Sequence, residues 1–145
     1  MKNVLVLHGV NLNMLGKRDP DQYGKITLSE IDKEISVVAN ELGVSVECFQ
    51  TNSEKELIER IHQAYEEKTD AVVINAGAWT HYSYALMDAL DILEVPIVEV
   101  HMSNVHAREE FRHNSVISHI AKGTISGFGL NSYLLGLRAA CDLIK

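Results

Sequence analysis

The chain has 145 residues, 13 basic against 20 acidic side chains, a formal net charge of −7 and 46% hydrophobic content, which is the profile of one ordinary globular domain. The acidic balance, with a pI near 5.4, excludes a nucleic-acid or anionic-membrane surface, because both demand a cationic footprint. Two cysteines, Cys48 and Cys141, are too few for a disulfide framework and suit a reducing, cytoplasmic setting.

In chain order, the first apolar run is Val4–Leu7, far too short for a signal-peptide core or a membrane span. Residues 9–25 then carry three glycines and Pro20 without an apolar period, which reads as a lid or binding loop. Leu28, Ile31, Ile35, Val38 and Leu42 recur every three or four residues behind Thr27-Leu28-Ser29-Glu30, a capping box opening a helix that Gly43 stops. A strand is expected over Val44–Phe49. Ser53 and Glu56 repeat the capping signature before Leu57, Ile58, Ile61 and Tyr65. After a strand over Ala71–Ile74, a third helix is expected from about Trp79 to Leu93, ending ahead of Val95-Pro96. Ile97–Val100 and a weaker run at Thr124–Ser126 complete the strands. The last helix carries Leu130, Leu134, Leu137, Cys141 and Ile144.

Strands alternating with helices, joined by right-handed crossovers, give an α/β domain: a flavodoxin-like, doubly wound sheet of five parallel strands filling residues 1–145 as a single unit. Ligands of such sheets bind at the carboxyl ends of the strands. Every exit there is polar: His8-Gly9-Val10-Asn11, Gln50-Thr51-Asn52-Ser53, Asn75-Ala76-Gly77-Ala78 and His101-Met102-Ser103-Asn104. Four such exits converging on one crevice imply a small-molecule site.

Cofactor signatures are missing from those exits. Gly9-Val10-Asn11-Leu12-Asn13-Met14 is neither a phosphate turn nor a Gly-x-Gly-x-x-Gly, and too little chain follows Gly127-Phe128-Gly129 for the rest of a dinucleotide-binding unit. His101, His106 and His113 lack the Cys or Glu-x-x-His spacing of a metal site. No cofactor and no metal are therefore expected. What remains is acid–base chemistry. Glu99 and His101, two apart on a strand, leave the same face, where a carboxylate orients an imidazole; alone, the pair reads equally as a satisfied core histidine. Arg18 and Tyr23 lie close together in the loop, and a tyrosine serves as a base at neutral pH only when a cation stabilises its phenolate; alone, they read as polar surface. His62 and His119 read as surface, Tyr82 and Tyr84 as packing or interface groups, and His106 and His113 as rim. Glu54, Glu56 and Glu59 with Lys55 and Arg60 read as a solvated face.

Taken together, His8-Gly9-Val10-Asn11-Leu12-Asn13, Leu15-Gly16, Arg18-Asp19-Pro20, Tyr23-Gly24, Gln50-Thr51-Asn52, Glu54, Asn75-Ala76-Gly77-Ala78, Thr80-His81, Asp88-Ala89, Glu99-Val100-His101-Met102-Ser103-Asn104 and Arg108-Glu109-Glu110-Phe111-Arg112 resemble the type II 3-dehydroquinate dehydratases over nearly the whole chain. The resemblance implies trans-dehydration of 3-dehydroquinate to 3-dehydroshikimate through an enolate, without metal or organic cofactor, in the shikimate pathway that leads to chorismate and the aromatic amino acids. It maps the base to Tyr23, supported by Arg18 and Arg108, and the acid to His101, held by Glu99. Asn11 positions a water on the enolate, and Asn75 holds the C1 hydroxyl. Met102 and Ser103 take the carboxylate, while His81 and Arg112 bind ring hydroxyls.

Asp88 adds a geometric expectation. Seven helical residues from His81 amount to nearly two turns, so the two side chains share one stripe about 10 Å apart along the axis. One small ring cannot bridge them, which agrees with the family pattern of this aspartate reaching a neighbouring subunit. The resemblance further implies a homododecamer, a tetramer of trimers. Val10 stands where the family commonly has proline, Trp79 where a smaller or tyrosyl residue is usual, and Met87 where an arginine is frequent. Two rival readings are a non-catalytic flavodoxin-like module binding a small anion or flavin, and a metal-dependent hydratase using the histidines.

Overall fold

Five parallel strands form one sheet in a computed structural model of the chain, which describes residues 1–144. They are β1 (Asn3–His8), β2 (Ser45–Gln50), β3 (Ala71–Asn75), β4 (Ile97–His101) and β5 (Gly123–Ser126), in the order β2-β1-β3-β4-β5. The helices are α1 (Pro20–Tyr23), α2 (Leu28–Leu42), α3 (Glu54–Glu67), α4 (Tyr84–Ile92) and α5 (Leu130–Leu143). This is the flavodoxin-like topology the alternation predicts, with its crevice where the order reverses, between β1 and β3. In register, His8 lies beside Gln50 on one side and Asn75 on the other, so three polar strand ends meet at one level.

The two central strands are continuously apolar over Val4–Leu7 and Ala71–Ile74 because both faces are covered. Val4, Val6 and Val73 pack beneath α2 and α5 with Ile31, Ile35 and Leu137. Leu5, Leu7 and Ile74 pack on the other face beneath α3 and α4 with Leu57, Ile61 and Leu90. Residue alternation along β1 thus feeds two separate cores.

Local chemistry sets the helix ends. Thr27 accepts the Glu30 N–H while the Glu30 carboxylate takes the Thr27 N–H, and Gly43 ends α2 in the left-handed conformation. Ser53 caps α3 through the Glu56 N–H, but the Glu56 carboxylate instead accepts the Thr51 hydroxyl at 2.6 Å. The expected helix over Trp79–Leu93 is shorter than its apolar pattern. Gly77–His81 form a 3₁₀ turn, and α4 starts only at Tyr84. Two contacts break it: the Thr80 carbonyl accepts the Val116 N–H at 2.8 Å from another segment, and Ser83 caps the Leu86 N–H at 3.1 Å.

Three further features go beyond the sequence pattern. The loop over residues 9–25 is pinned by Leu12 and Leu15, both nearly fully buried in the core under α2. The most deeply buried positions of α5 are Ser132, Tyr133, Gly136, Leu137 and Ala140, and the predicted Leu130, Leu134, Cys141 and Ile144 pack half-buried against the same core beside Leu137. Arg60 is buried rather than solvated, its Nη2 2.8 Å from Glu47 of the edge strand β2, and Glu54 accepts the Ser83 hydroxyl. No helix among the described residues is long and apolar enough to cross a membrane.

Candidate active site

A cavity of about 600 Å³, counted with its mouth, opens at the carboxyl ends of β1, β3 and β4. Its floor is made where β1 and β3 leave the sheet. Gly9 passes so close to Ala76 that a Cβ would sit 2.2 Å from the Ala76 carbonyl oxygen, so only glycine fits. The chain then turns through Asn11, in the left-handed region at φ 69°, a conformation asparagine tolerates better than most residues. Asn52 and Gln50 secure that turn: Asn52 Oδ1 accepts the Asn11 N–H at 2.8 Å and the Gln50 amide, which also donates to the Gly9 carbonyl. The β2 exit therefore buttresses the crevice without lining it.

Asn75 ends β3 almost fully buried. Its Oδ1 accepts the Gly77 N–H at 3.2 Å and its Nδ2 donates to Tyr133 Oη at 3.0 Å. On the loop side, Tyr23 ends α1 with its hydroxyl 2.7 Å from Arg108 Nη1. The Arg18 guanidinium lies 4.7 Å from the Tyr23 ring centroid and that of Arg108 5.3 Å. Arg108 Nη1 also donates to Ser103 Oγ at 3.1 Å, tying the loop to the β4 exit. Arg112 Nε is held by Glu109 at 3.1 Å. Three guanidiniums at one mouth favour an anionic ligand.

Into the same cavity the β4 end presents His101, whose Nε2 lies 2.5 Å from Glu99 Oε2. Glu99 is 1% exposed. Burial opposes its ionisation, but hydrogen bonds from His101, Ser118 and Ser115 outweigh that penalty and hold its carboxyl below the ordinary value. His81 Nδ1 donates to the Asn114 carbonyl at 2.8 Å, and burial chiefly, with the neighbouring charges of His101 and Arg112, pushes the ring's basicity down. Its Nε2 is then an acceptor for a ligand hydroxyl. The His81 and His101 rings stack at 6.4 Å.

Of the residues anticipated from sequence, Asn11, Arg18, Tyr23, Asn75, His81, His101, Met102, Ser103, Arg108 and Arg112 line this cavity. Glu99 stands behind His101. Asp88 does not join them: it is exposed on α4, and the two-turn separation from His81 fails as a derivation because His81 lies in the 3₁₀ turn before that helix. His62 and His119 are exposed. His113 Nε2 donates to the Arg108 carbonyl at 3.2 Å, with His106 beside it, as rim residues. Sequence reasoning gave no role to Asp32 or Tyr133, and none to His8 beyond its motif, although all three form one hydrogen-bonded network with Asn75, buried except at Asp32. The only signal was a histidine in an otherwise apolar strand. His8, Asp32 and Cys48 also place metal-capable atoms within 4.8 Å of one another, under the sheet and away from the cavity lining.

A family model described as dehydroquinase class II matches residues 2–141. The 3-dehydroquinate dehydratase of Syntrophotalea carbinolica is 70% identical over 145 residues, covering 100% of this chain and 98% of the relative. That of Leptothrix cholodnii is 64% identical over 143 residues, covering 99% and 96%. Among solved structures, the type II dehydroquinase from Propionibacterium acnes superposes with a TM-score of 0.94 at 46% identity, covering 98% of this chain and 97% of that one.

Proposed function

This chain belongs to the class II dehydroquinase family, lyases that dehydrate 3-dehydroquinate in the shikimate pathway, and on that premise we propose a trans-dehydration through an enolate. The observation that carries it is the pairing, across one cavity, of a tyrosine hydroxyl held by Arg108 at 2.7 Å with a histidine held by Glu99 at 2.5 Å. A base and an acid are thereby fixed before substrate arrives.

The Tyr23 phenolate, flanked by the Arg18 and Arg108 guanidiniums, removes the C2 proton alpha to the ketone. The electron pair moves onto the carbonyl oxygen as an enolate, which a water positioned by Asn11 stabilises. Collapse of the enolate forms the C1–C2 double bond and expels the C1 hydroxyl. His101 protonates the departing oxygen to give water. Its Nε2 is committed to Glu99, so Nδ1 is the atom that delivers the proton. Asn75 holds the C1 hydroxyl, and Met102 and Ser103 receive the substrate carboxylate just past β4. His81 accepts from a ring hydroxyl while Arg112 donates to one. Each proton transfer uses a protein group and the enolate a bound water, so the proposal calls for neither metal nor organic cofactor.

The working unit is an oligomer in this proposal, a tetramer of trimers in which Asp88 completes the neighbouring subunit's site. Asp88 supports it by lying outside its own chain's cavity, on an exposed α4 stripe with Tyr84 and Ile92. Mixed apolar and acidic surface of this kind suits a subunit contact. The acidic, two-cysteine chain fits a cytoplasmic setting. Adding 3-dehydroquinate and following the ultraviolet absorbance of the conjugated enone, with and without a chelator, tests the chemistry. Chelator-insensitive turnover is expected; no absorbance change would sink the reaction, and chelator-sensitive turnover would favour a metal-dependent hydratase.

A further inference from the structure

His8 takes no part in those proton transfers, yet it is 0% exposed and both its ring nitrogens are engaged. Nδ1 lies 2.8 Å from Tyr133 Oη, and Nε2 lies 2.7 Å from Asp32 Oδ1. Tyr133, on the buried face of α5, also meets Asn75 Nδ2 at 3.0 Å. Donor accounting fixes the direction of the whole chain. An amide nitrogen only donates, so Tyr133 Oη accepts from Asn75, and the buried hydroxyl satisfies its own hydrogen at its other partner, His8 Nδ1. The hydrogen of the ring is then on Nε2 and donates to Asp32. At the far end, Cys48 of β2 brings its Sγ within 4.8 Å of the same carboxylate.

At the near end, the Gly77 N–H donates to Asn75 Oδ1. With Tyr133 accepting from Nδ2, only one orientation of the Asn75 amide satisfies both neighbours; the flipped amide would set donor against donor. We propose that Asp32, His8 and Tyr133 are positioning residues, drawn from α2, β1 and α5, which lock the Asn75 amide toward the leaving hydroxyl. One amide hydrogen and one oxygen lone pair of Asn75 stay free for the cavity, and their direction is set by the Gly77 N–H together with Asp32, His8 and Tyr133, three residues that do not line it. A buried histidine paired with a carboxylate would satisfy the core by itself. Its continuation through Tyr133 onto a cavity residue gives it consequences for the reaction. The inference rests on the reading of Asn75 as a substrate-binding residue.

The test is a double-mutant cycle on kcat and KM with melting curves alongside. Asn75→Ala should lower kcat by roughly tenfold or more, and Tyr133→Phe by about tenfold with KM within about twofold. The double variant should be no slower than Asn75→Ala alone, within about twofold, since Tyr133 acts through the amide. Asp32→Ala should also lower kcat, and Asp32→Asn, which keeps an acceptor for the His8 Nε2–H, should restore it. A purely structural role would move the melting temperature and leave kcat alone. If Asn75→Ala is as fast as the parent, the assignment of Asn75 itself fails. Should Asn75→Ala be slow while Tyr133→Phe is not, or should the two losses multiply, the positioning network is overturned. If Tyr133→Phe fails to fold, the Asp32 pair decides, because that side chain is 37% exposed and tolerates exchange; equal kcat for Asp32→Ala and the parent then overturns the proposal.

Discussion

Tyr23 and Arg108 stand 85 residues apart in the chain and 2.7 Å apart in space, and the chemistry depends on that approach. Removing the phenol oxygen should remove the base without creating a cavity. Tyr23→Phe is expected to lower kcat by about 10²–10⁴-fold while the melting curve changes little; near-normal kcat would mean the base is misassigned. Glu99 permits a pH test. Its folded-state carboxyl is held below the ordinary value, so it contributes stability that is full above the ordinary carboxylate range and lost as pH falls through the lowered value. Denaturation midpoints measured from pH 7 down to pH 3 should therefore fall less steeply for Glu99→Gln than for the parent. The same variant should turn over roughly 10²-fold more slowly, since His101 loses the charge that orients and supports it. These roles were legible only through the ordered set of motifs: an Arg and a Tyr in a loop, or a Glu and a His on a strand, carry no such meaning singly.

At the level of elements, the apolar period located α2 and α3 almost to the residue but overran α4. Periodicity reports which side chains face the core, and Trp79 and Thr80 do face it. It cannot report that the Thr80 carbonyl is taken by Val116 from a distant segment, which leaves Ser83 to restart the helix. Ser83→Ala should accordingly cost about 1 kcal/mol, through loss of the α4 cap, measurable as a shift of the urea midpoint at constant slope. The buried face of α5 extends beyond the predicted residues for a related reason. Gly136 lies so close to the sheet that a Cβ would come 2.5 Å from the Val100 side chain, and the hydrophobic pattern gives no weight to a glycine. Gly136→Ala is expected to destabilise by roughly 1–3 kcal/mol through overpacking, again read from the urea midpoint. Stability unchanged or raised would show that the β4–α5 packing yields easily.

For the whole molecule, the question is whether one chain makes one site. If Asp88 serves a neighbour, Asp88→Ala and Tyr23→Phe subunits should complement each other: a wild-type Tyr23 on one chain meets a wild-type Asp88 from the next. Co-refolding the two inactive variants in equal amounts should restore activity to about a quarter of sites in a cyclic assembly. No recovery in a demonstrably mixed oligomer would place Asp88 outside the chemistry. The net charge of −7 also takes a different meaning at this scale. Overall acidity coexists with a locally cationic mouth, because Arg18, Arg108 and Arg112 all open onto one cavity.

By itself the sequence determined the strands, the doubly wound order and the polar exits, because burial on both faces of a parallel sheet leaves continuous apolar runs and short-range capping leaves local signatures. Its ordered motifs also determined the family. Tertiary structure alone decided where α4 begins, which positions of α5 are most deeply buried, why Arg60 is inside, and that His8 reaches Asn75 through Tyr133. Each of those outcomes depends on a hydrogen bond, ion pair or close packing contact between segments far apart in the chain, and such contacts leave no period in the sequence.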